Sequence, residues 1–406
     1  MAVNWSSRTV RWVLLATVTT ALGGSLTWGT VLWKRHRTSE FDRHCRDSRA
    51  QENWHDLAEV SEQWTLWQPA SGDAWVMRAL AADKSGDLIA TADFLERVPD
   101  DYQGAVPAFL ELSSLYFDPL RRPVDGVRTC ERILSINPEI VAAHERLCHY
   151  FAMTLQRDSL LKQVRESIRL RAETVDAYSY FLTLPDLVFS DALPSVKDWL
   201  EVTPDEPTLV IASALIRTRD ESLKSGNEYE AAMTAELKTL HERFPENLEV
   251  LTTLLEIISR DGDVEQVENL LEQAPANARE DYRMWRFRSW HHSVTGNKAE
   301  AEKAARESLR LNPMDWHSWQ HLSGILRQQD QPEAAAEAQA TAMFGKDLQA
   351  VILALDDTNP PPRSVLDGIL DYATTCGDTF VAEHLSRRLP VARPDPGKYF
   401  PAERAK

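Results

Sequence analysis

Strict alternation of Val, Ile and Thr with polar residues, the mark of a half-buried strand, is nearly absent from this chain. Ala, Leu, Glu, Arg and Gln dominate instead, and these residues favour helices. The stretch GNKAEAEKAARESLRLNP, residues 296–313, shows the local design. It opens on Gly-Asn, continues in alanine and charge, and stops at Asn-Pro. The bulky Trp285 precedes it, and the small residues Ala301, Ala305 and Ser308 lie within it. The pattern predicts a first helix with bulky side chains, a tight turn, and a second helix whose small face lets its neighbours approach closely.

The turn recurs. Gly-Asp or Gly-Asn stands at Gly86, Gly226, Gly262, Gly296 and Gly377. Residues 262 and 296 are one period of 34 apart, and a further period reaches Asp330, followed by Gln331 and Pro332. A fixed period of this size predicts a stacked repeat array. Glycine supplies the left-handed residue that closes one helix, and Asp or Asn caps the next. Glu230, Gln266 and Glu300 stand three residues after the cap and predict capping boxes. At Asp330 the glycine is lost, but Pro332 occupies a position where a first-turn proline is tolerated.

These residues resemble the tetratricopeptide repeat (TPR). Residues 282–315 match at Trp285, Ser289, Gly296, Ala301 and Pro313. Residues 316–349 match at Trp319, Leu322, Ser323, Ala335 and Ala342, and 248–281 at Leu254, Gly262 and Ala274. Residues 38–71 match at Phe41, Cys45, Leu57 and Pro69, and 72–103 at Trp75, Ala79 and Gly86. The resemblance implies an all-α solenoid of helical hairpins over 38–349, about nine units, degenerate over 175–246 where Pro185, Pro194, Pro204 and Pro207 shorten the helices. A Pro-rich linker over 350–363, a terminal helical pair over 364–390 and a flexible tail over 391–406 complete the expected order.

A short segment, residues 1–11, precedes WVLLATVTTALGGSLTWGTVLW, residues 12–33, which carries no charge. As a helix this stretch is about 33 Å long, enough to cross a bilayer. Trp12, Trp28 and Trp33 suit its ends. One transmembrane helix is the reading; a cleaved signal peptide is the competing one, although no good cleavage motif follows. Lys34, Arg35, Arg37, Arg43 and Arg46 after the span place the large domain on the cytoplasmic side by the positive-inside rule, with the opposite side as the alternative.

The chain carries a net charge of -17, and residues 41–406 alone hold 40 basic and 61 acidic side chains. Such a domain is not expected to bind nucleic acid. The four cysteines, Cys45, Cys130, Cys148 and Cys376, form no C-x-x-C pair, which excludes a zinc ribbon or thioredoxin-type site. No P-loop, dinucleotide fingerprint, H-E-x-x-H or G-x-S-x-G is present, so no catalytic residue and no cofactor is assigned. His291, His292, His317 and His321 could gather as a metal site for an enzyme; the alternative is surface or groove histidines. His144, Cys148 and His149 sit together in HERLCHY, where a buried thiol is the plainer reading.

TPR arrays bind extended peptides or partner helices on the concave face of their first helices. The resemblance maps that face here onto Arg260 in one unit, Arg283, Arg286 and Trp290 in the next, and His317, Gln320, Arg327 and Gln328 in the third. Arginine suits carboxylates and Trp is a frequent anchor, so this patch is expected to hold an acidic peptide segment or a carboxyl terminus. The alternative is that these arginines pair with acids of neighbouring helices. The function expected is a membrane-tethered, non-enzymatic scaffold that gathers partner proteins. The architecture also looks like bacterial inner-membrane repeat proteins that coordinate envelope assembly, some with a rubredoxin-like module that this chain lacks. Self-assembly into a homo-oligomer is a further alternative.

Overall fold

The computed structural model describes residues 33–219, 227–355 and 360–389. All regular structure among the described residues is helical. The predicted membrane span, apart from Trp33, and the predicted tail lie outside the described residues. No described helix is long and apolar enough to cross a membrane. The chain divides into two compact bodies, Met1–Leu120 and Arg121–Lys406.

The N-terminal body holds α1 (residues 33–50), α2 (Trp54–Trp67), α3 (Gly72–Lys84), α4 (Leu88–Glu96) and α5 (Ala105–Phe117). Asn53, Ser71 and Asp87 each accept a hydrogen bond from the amide three residues on and so start α2, α3 and α4. Phe41, Cys45, Leu57, Val60, Trp64, Ala74 and Ala81 form one core between α1, α2 and α3. The Phe41 and Trp64 rings stack at 6.3 Å.

The C-terminal body begins with α6 (Pro123–Ile136), α7 (Val141–Met153) and α8 (Arg157–Leu170). A 3-10 turn (Val175–Ser179) and the single-turn α9 (Tyr180–Thr183) follow, then α10 (Ala192–Val202), α11 (Pro207–Arg219) and α12 (Asn227–Arg243). The repeats of clear period supply α13 (Leu248–Asp261), α14 (Val264–Glu272), α15 (Tyr282–Val294), α16 (Lys298–Leu311), α17 (Trp316–Gln328) and α18 (Pro332–Leu353). α19 (Arg363–Cys376) and α20 (Thr379–Arg388) close it. α15 packs on α16, α17 on α18 and α19 on α20 as hairpins. Residues 350–353, read from the sequence as the start of a linker, continue α18 as helix.

The turn chemistry explains the period. Gly86, Gly262, Gly296 and Gly377 all have φ between 78° and 82°, the left-handed region that a side chain resists. Asp87, Asp263 and Asp378 cap the following helix. Asn297 does not: its side chain makes no capping bond, and its amide donates to Thr295 Oγ1 at 3.3 Å. Gln266 bonds the side chain of Asp263 rather than its backbone amide, so the expected box forms in altered shape. Asp330 itself takes the glycine's place at φ 57°, and Gln331 becomes the cap before Pro332. Asp330→Gly should therefore raise stability by about 0.5–1 kcal/mol, because glycine relieves left-handed strain. A urea midpoint that moves up with an unchanged slope would bear this out.

A second recurring device joins each turn to its first helix. The indole of Trp75 donates to Pro69 O at 2.8 Å, that of Trp285 to Arg279 O at 2.8 Å, and that of Trp319 to Pro313 O at 2.7 Å, always six residues back. His144 Nε2 makes the same bond to Pro138 O at 2.8 Å. The hydroxyls of Ser289 and Ser323, one period apart, donate to Ala301 O and Ala335 O. Ala301, Ala305, Ala335 and Ala338 are buried against Leu309, Leu322, Ile325 and Leu326, so the alanines are packing sites.

Candidate partner-binding face

Two of the predicted binding residues are engaged by acids of the chain itself. Arg283 is 5% exposed. Its guanidinium binds Asp281 Oδ2 at 2.6 Å and Glu249 Oε1 at 2.9 Å. Burial opposes its charge, but Asp281 and Glu249 outweigh burial and hold it protonated far above the ordinary range. Arg286, half-buried, reaches Asp315 at 3.2 Å, and that acid outweighs desolvation and raises its pKa. Asp315 also accepts from Ser318 N at 3.0 Å and so caps α17. Burial alone would raise the Asp315 carboxyl; Arg286, His317 and Ser318 instead hold it low. The arginines expected to await a ligand are neutralised by this chain's own acids.

Glu249 is the hub. Besides Arg283 it meets Arg157 Nη1 at 3.5 Å and accepts from the amide of Asp158 at 3.2 Å, at the start of α8. Arg157 donates to Leu184 O at 3.1 Å, while its Nη2 is buried without a partner. Burial pulls this guanidinium down to about 10.

The segment around α9 lies against the same face. Arg219 donates to Pro185 O at 2.7 Å and to Glu256 at 3.1 Å. Gln349 donates to Leu182 O at 2.8 Å and Asp186 at 3.1 Å, and accepts from the Trp316 indole at 3.1 Å. His317 is half-buried, stacked on Trp316 at 3.6 Å, with Nε2 3.9 Å from Asp186. Part of the expected groove is thus filled from within, by the stretch that reads in sequence as degenerate repeats.

The remaining predicted residues stay outward. Arg260 is exposed and has no ion pair among the described residues. It lines a cleft of about 420 Å³ with Arg219, Glu256, Tyr229, Met233 and Ile257. Gln320 and Gln328 are exposed, and Trp290 is half-buried. Arg327 is exposed and donates to Gln339 at 3.3 Å. Sequence reasoning missed Tyr229 and Arg219, since their cleft forms between α11, α12 and α13, outside the clear repeats.

The histidine grouping does not form. Among the described residues no three His, Cys, Asp or Glu side chains converge as a metal site. His291 faces Glu268 at 4.0 Å, His321 lies against Ser289 and Arg286 of α15, and burial lowers the pKa of both His321 and His292. His144 serves as the repeat's indole substitute, and its Nδ1 contacts the Gln163 amide at 2.6 Å. None of the four cysteines is in a disulfide. Burial pushes Cys45, Cys148 and Cys376 up to about 12, the opposite of an activated nucleophile. Iodoacetamide at pH 8 should therefore label the native chain far more slowly than the urea-unfolded chain, as intact mass would read. Rapid native alkylation of Cys148 would contradict this.

No protein-family model and no curated protein matches the chain. Solved structures do show likeness. MamA, residues 41 to the end, from Desulfovibrio magneticus RS-1 is 15% identical over 39% of this chain and 85% of that one, with a TM-score of 0.30. A chain of the APC/C hetero-tetramer Cut9-Hcn1 is 14% identical over 87% of this chain and 80% of that one, with a TM-score of 0.33. A tetratricopeptide repeat protein from Parabacteroides merdae ATCC 43184 is 10% identical over 63% of this chain and 98% of that one, with a TM-score of 0.30. The helical-hairpin description of this chain stands on its own geometry.

Proposed function

We propose that this protein is a membrane-tethered, non-enzymatic TPR-like scaffold that binds partner proteins or acidic peptide segments. The observation that carries the reading is the repeated hairpin. Equivalent bonds recur one period apart, at Ser289 and Ser323 and at Trp285 and Trp319. Such repetition presents side chains at regular intervals along one face, which suits an extended partner. The binding residues are the outward ones: Arg260, Trp290, Gln320 and Gln328. Arg283 and Arg286 hold the scaffold. Arg260, beside Tyr229 and Ile257, is the group for a partner's carboxylate.

The tether is the uncharged stretch over residues 12–33, and the basic residues after it favour a cytoplasmic scaffold. Anchoring raises the effective concentration toward other membrane-bound proteins. The test is chemical crosslinking and affinity capture of the full chain from detergent-solubilised membranes. The Arg260→Ala/Gln320→Ala/Gln328→Ala variant, equally helical by circular dichroism, should lose the captured partner. Retention of the same partner by the variant would move recognition elsewhere.

A further inference from the structure

The first hairpin of the N-terminal body carries an apolar patch that stands outside its core. Trp33 is 56% exposed, Leu66 75% and Trp67 37%. Trp33 lies in α1 and Trp67 closes α2, and their rings meet edge to face at 4.9 Å. The Leu57, Val60 and Trp64 side chains of α2 are buried in the body's core, so Leu66 and Trp67 are left over from that face. Thr38 Oγ1 donates to Gln68 Oε1 at 3.1 Å and ties α1 to the residue that follows α2. Lys34 and Arg35 adjoin the patch, exposed and without an ion pair among the described residues. Arg37, by contrast, is engaged by Glu40 at 3.2 Å and lies over Phe41 at 4.8 Å.

Exposed indoles beside lysine and arginine match the chemistry of a bilayer interface, where rings sit among headgroups and cations meet anionic lipid. The rest of the chain does not: residues 41–406 carry a net excess of 21 acidic side chains and would be repelled by an anionic surface. We propose that Trp33, Leu66 and Trp67, with Lys34 and Arg35, form a second membrane contact. It seats the α1–α2 hairpin on the headgroup region of an anionic bilayer. The proposal rests on the tethered reading, because the patch stands where the uncharged stretch ends. A tether alone would leave the body free to swivel; a seated hairpin fixes which side of it faces the membrane.

The test uses the full chain reconstituted in vesicles of phosphatidylcholine and phosphatidylglycerol. A nitrobenzoxadiazole label is placed on Leu66→Cys and, separately, on Lys303→Cys, an exposed position of α16. Brominated phosphatidylcholine should quench the label at 66 several-fold more than the label at 303, with bluer emission at 66. Adding Trp67→Glu, an exposed change that spares the core, should remove the difference while the chain still floats with the vesicles. Equal quenching at both sites in floating protein would overturn the seated hairpin and leave the tether standing. A label at 66 shielded from aqueous iodide but not quenched by brominated lipid would mean that protein covers the patch, and would also overturn it. A chain that fails to float would overturn tether and seat together.

Discussion

Glu249→Ala is expected to destabilise the C-terminal body by about 3–5 kcal/mol, the cost of orphaning a buried ion pair. The size follows from what the carboxylate holds. It neutralises Arg283, meets Arg157, and accepts from the Asp158 amide at the start of α8. Its removal leaves two buried guanidinium groups, one of which already has an unpartnered nitrogen. For a body of this size that loss lowers Tm by roughly 10 °C. Arg306→Ala is the contrast. Arg306 pairs with Glu302 at 2.7 Å on the surface of α16, at a position 58% exposed, and its loss should cost no more than about 0.5 kcal/mol. Calorimetry on both variants separates the cases; similar small shifts would mean that the Glu249 network contributes little.

The second large effect is acid sensitivity. Asp281 and Asp315 are buried carboxylates held below their ordinary range: burial opposes ionisation, and Arg283 and Arg286 outweigh it. Groups with a depressed folded pKa contribute stability that is fully present above the unfolded value, about 4, and is lost as pH falls through the folded value. Wild-type stability should therefore hold from pH 7 to about 5 and drop steeply below about 4. Asp315→Asn should cost about 2–4 kcal/mol at pH 7, from the lost charge opposite half-buried Arg286. It should also show a shallower fall between pH 4 and pH 2. Urea unfolding at pH 7, 4 and 3 reads both quantities. A variant with the wild-type acid slope would remove Asp315 from the account.

The repeat and its turns were legible because they are local. Gly262 and Asp263 need only each other and the next helical turn, and a period of 34 repeats that local rule. The roles of Arg283 and Arg286 were not legible in the same way. Their partners Glu249 and Asp315 lie 34 and 29 residues off, so a side chain facing a ligand and one facing the next repeat look alike in sequence. A signal was present: opposite charges about one period apart, as also at Arg219 and Glu256. The place of Pro185 and Asp186 against α11, α17 and α18 had no such signal, because those contacts cross the body without a period. Asn297 stands at the right position but does not cap: its Nδ2 donates to Thr295 Oγ1, and its Oδ1 accepts no amide of the next helix.

The outward residues of the repeat face meet a partner, while Arg283 and Arg286, paired with the chain's own acids, do not. The most direct measurement of this places a photo-crosslinking amino acid at positions 260, 320, 328 and 303 of the full chain in its native cells. A discrete adduct of the same protein is expected from 260, 320 and 328, and none from 303. Adducts from 303 alone, or unmodified protein at all four positions, would contradict it.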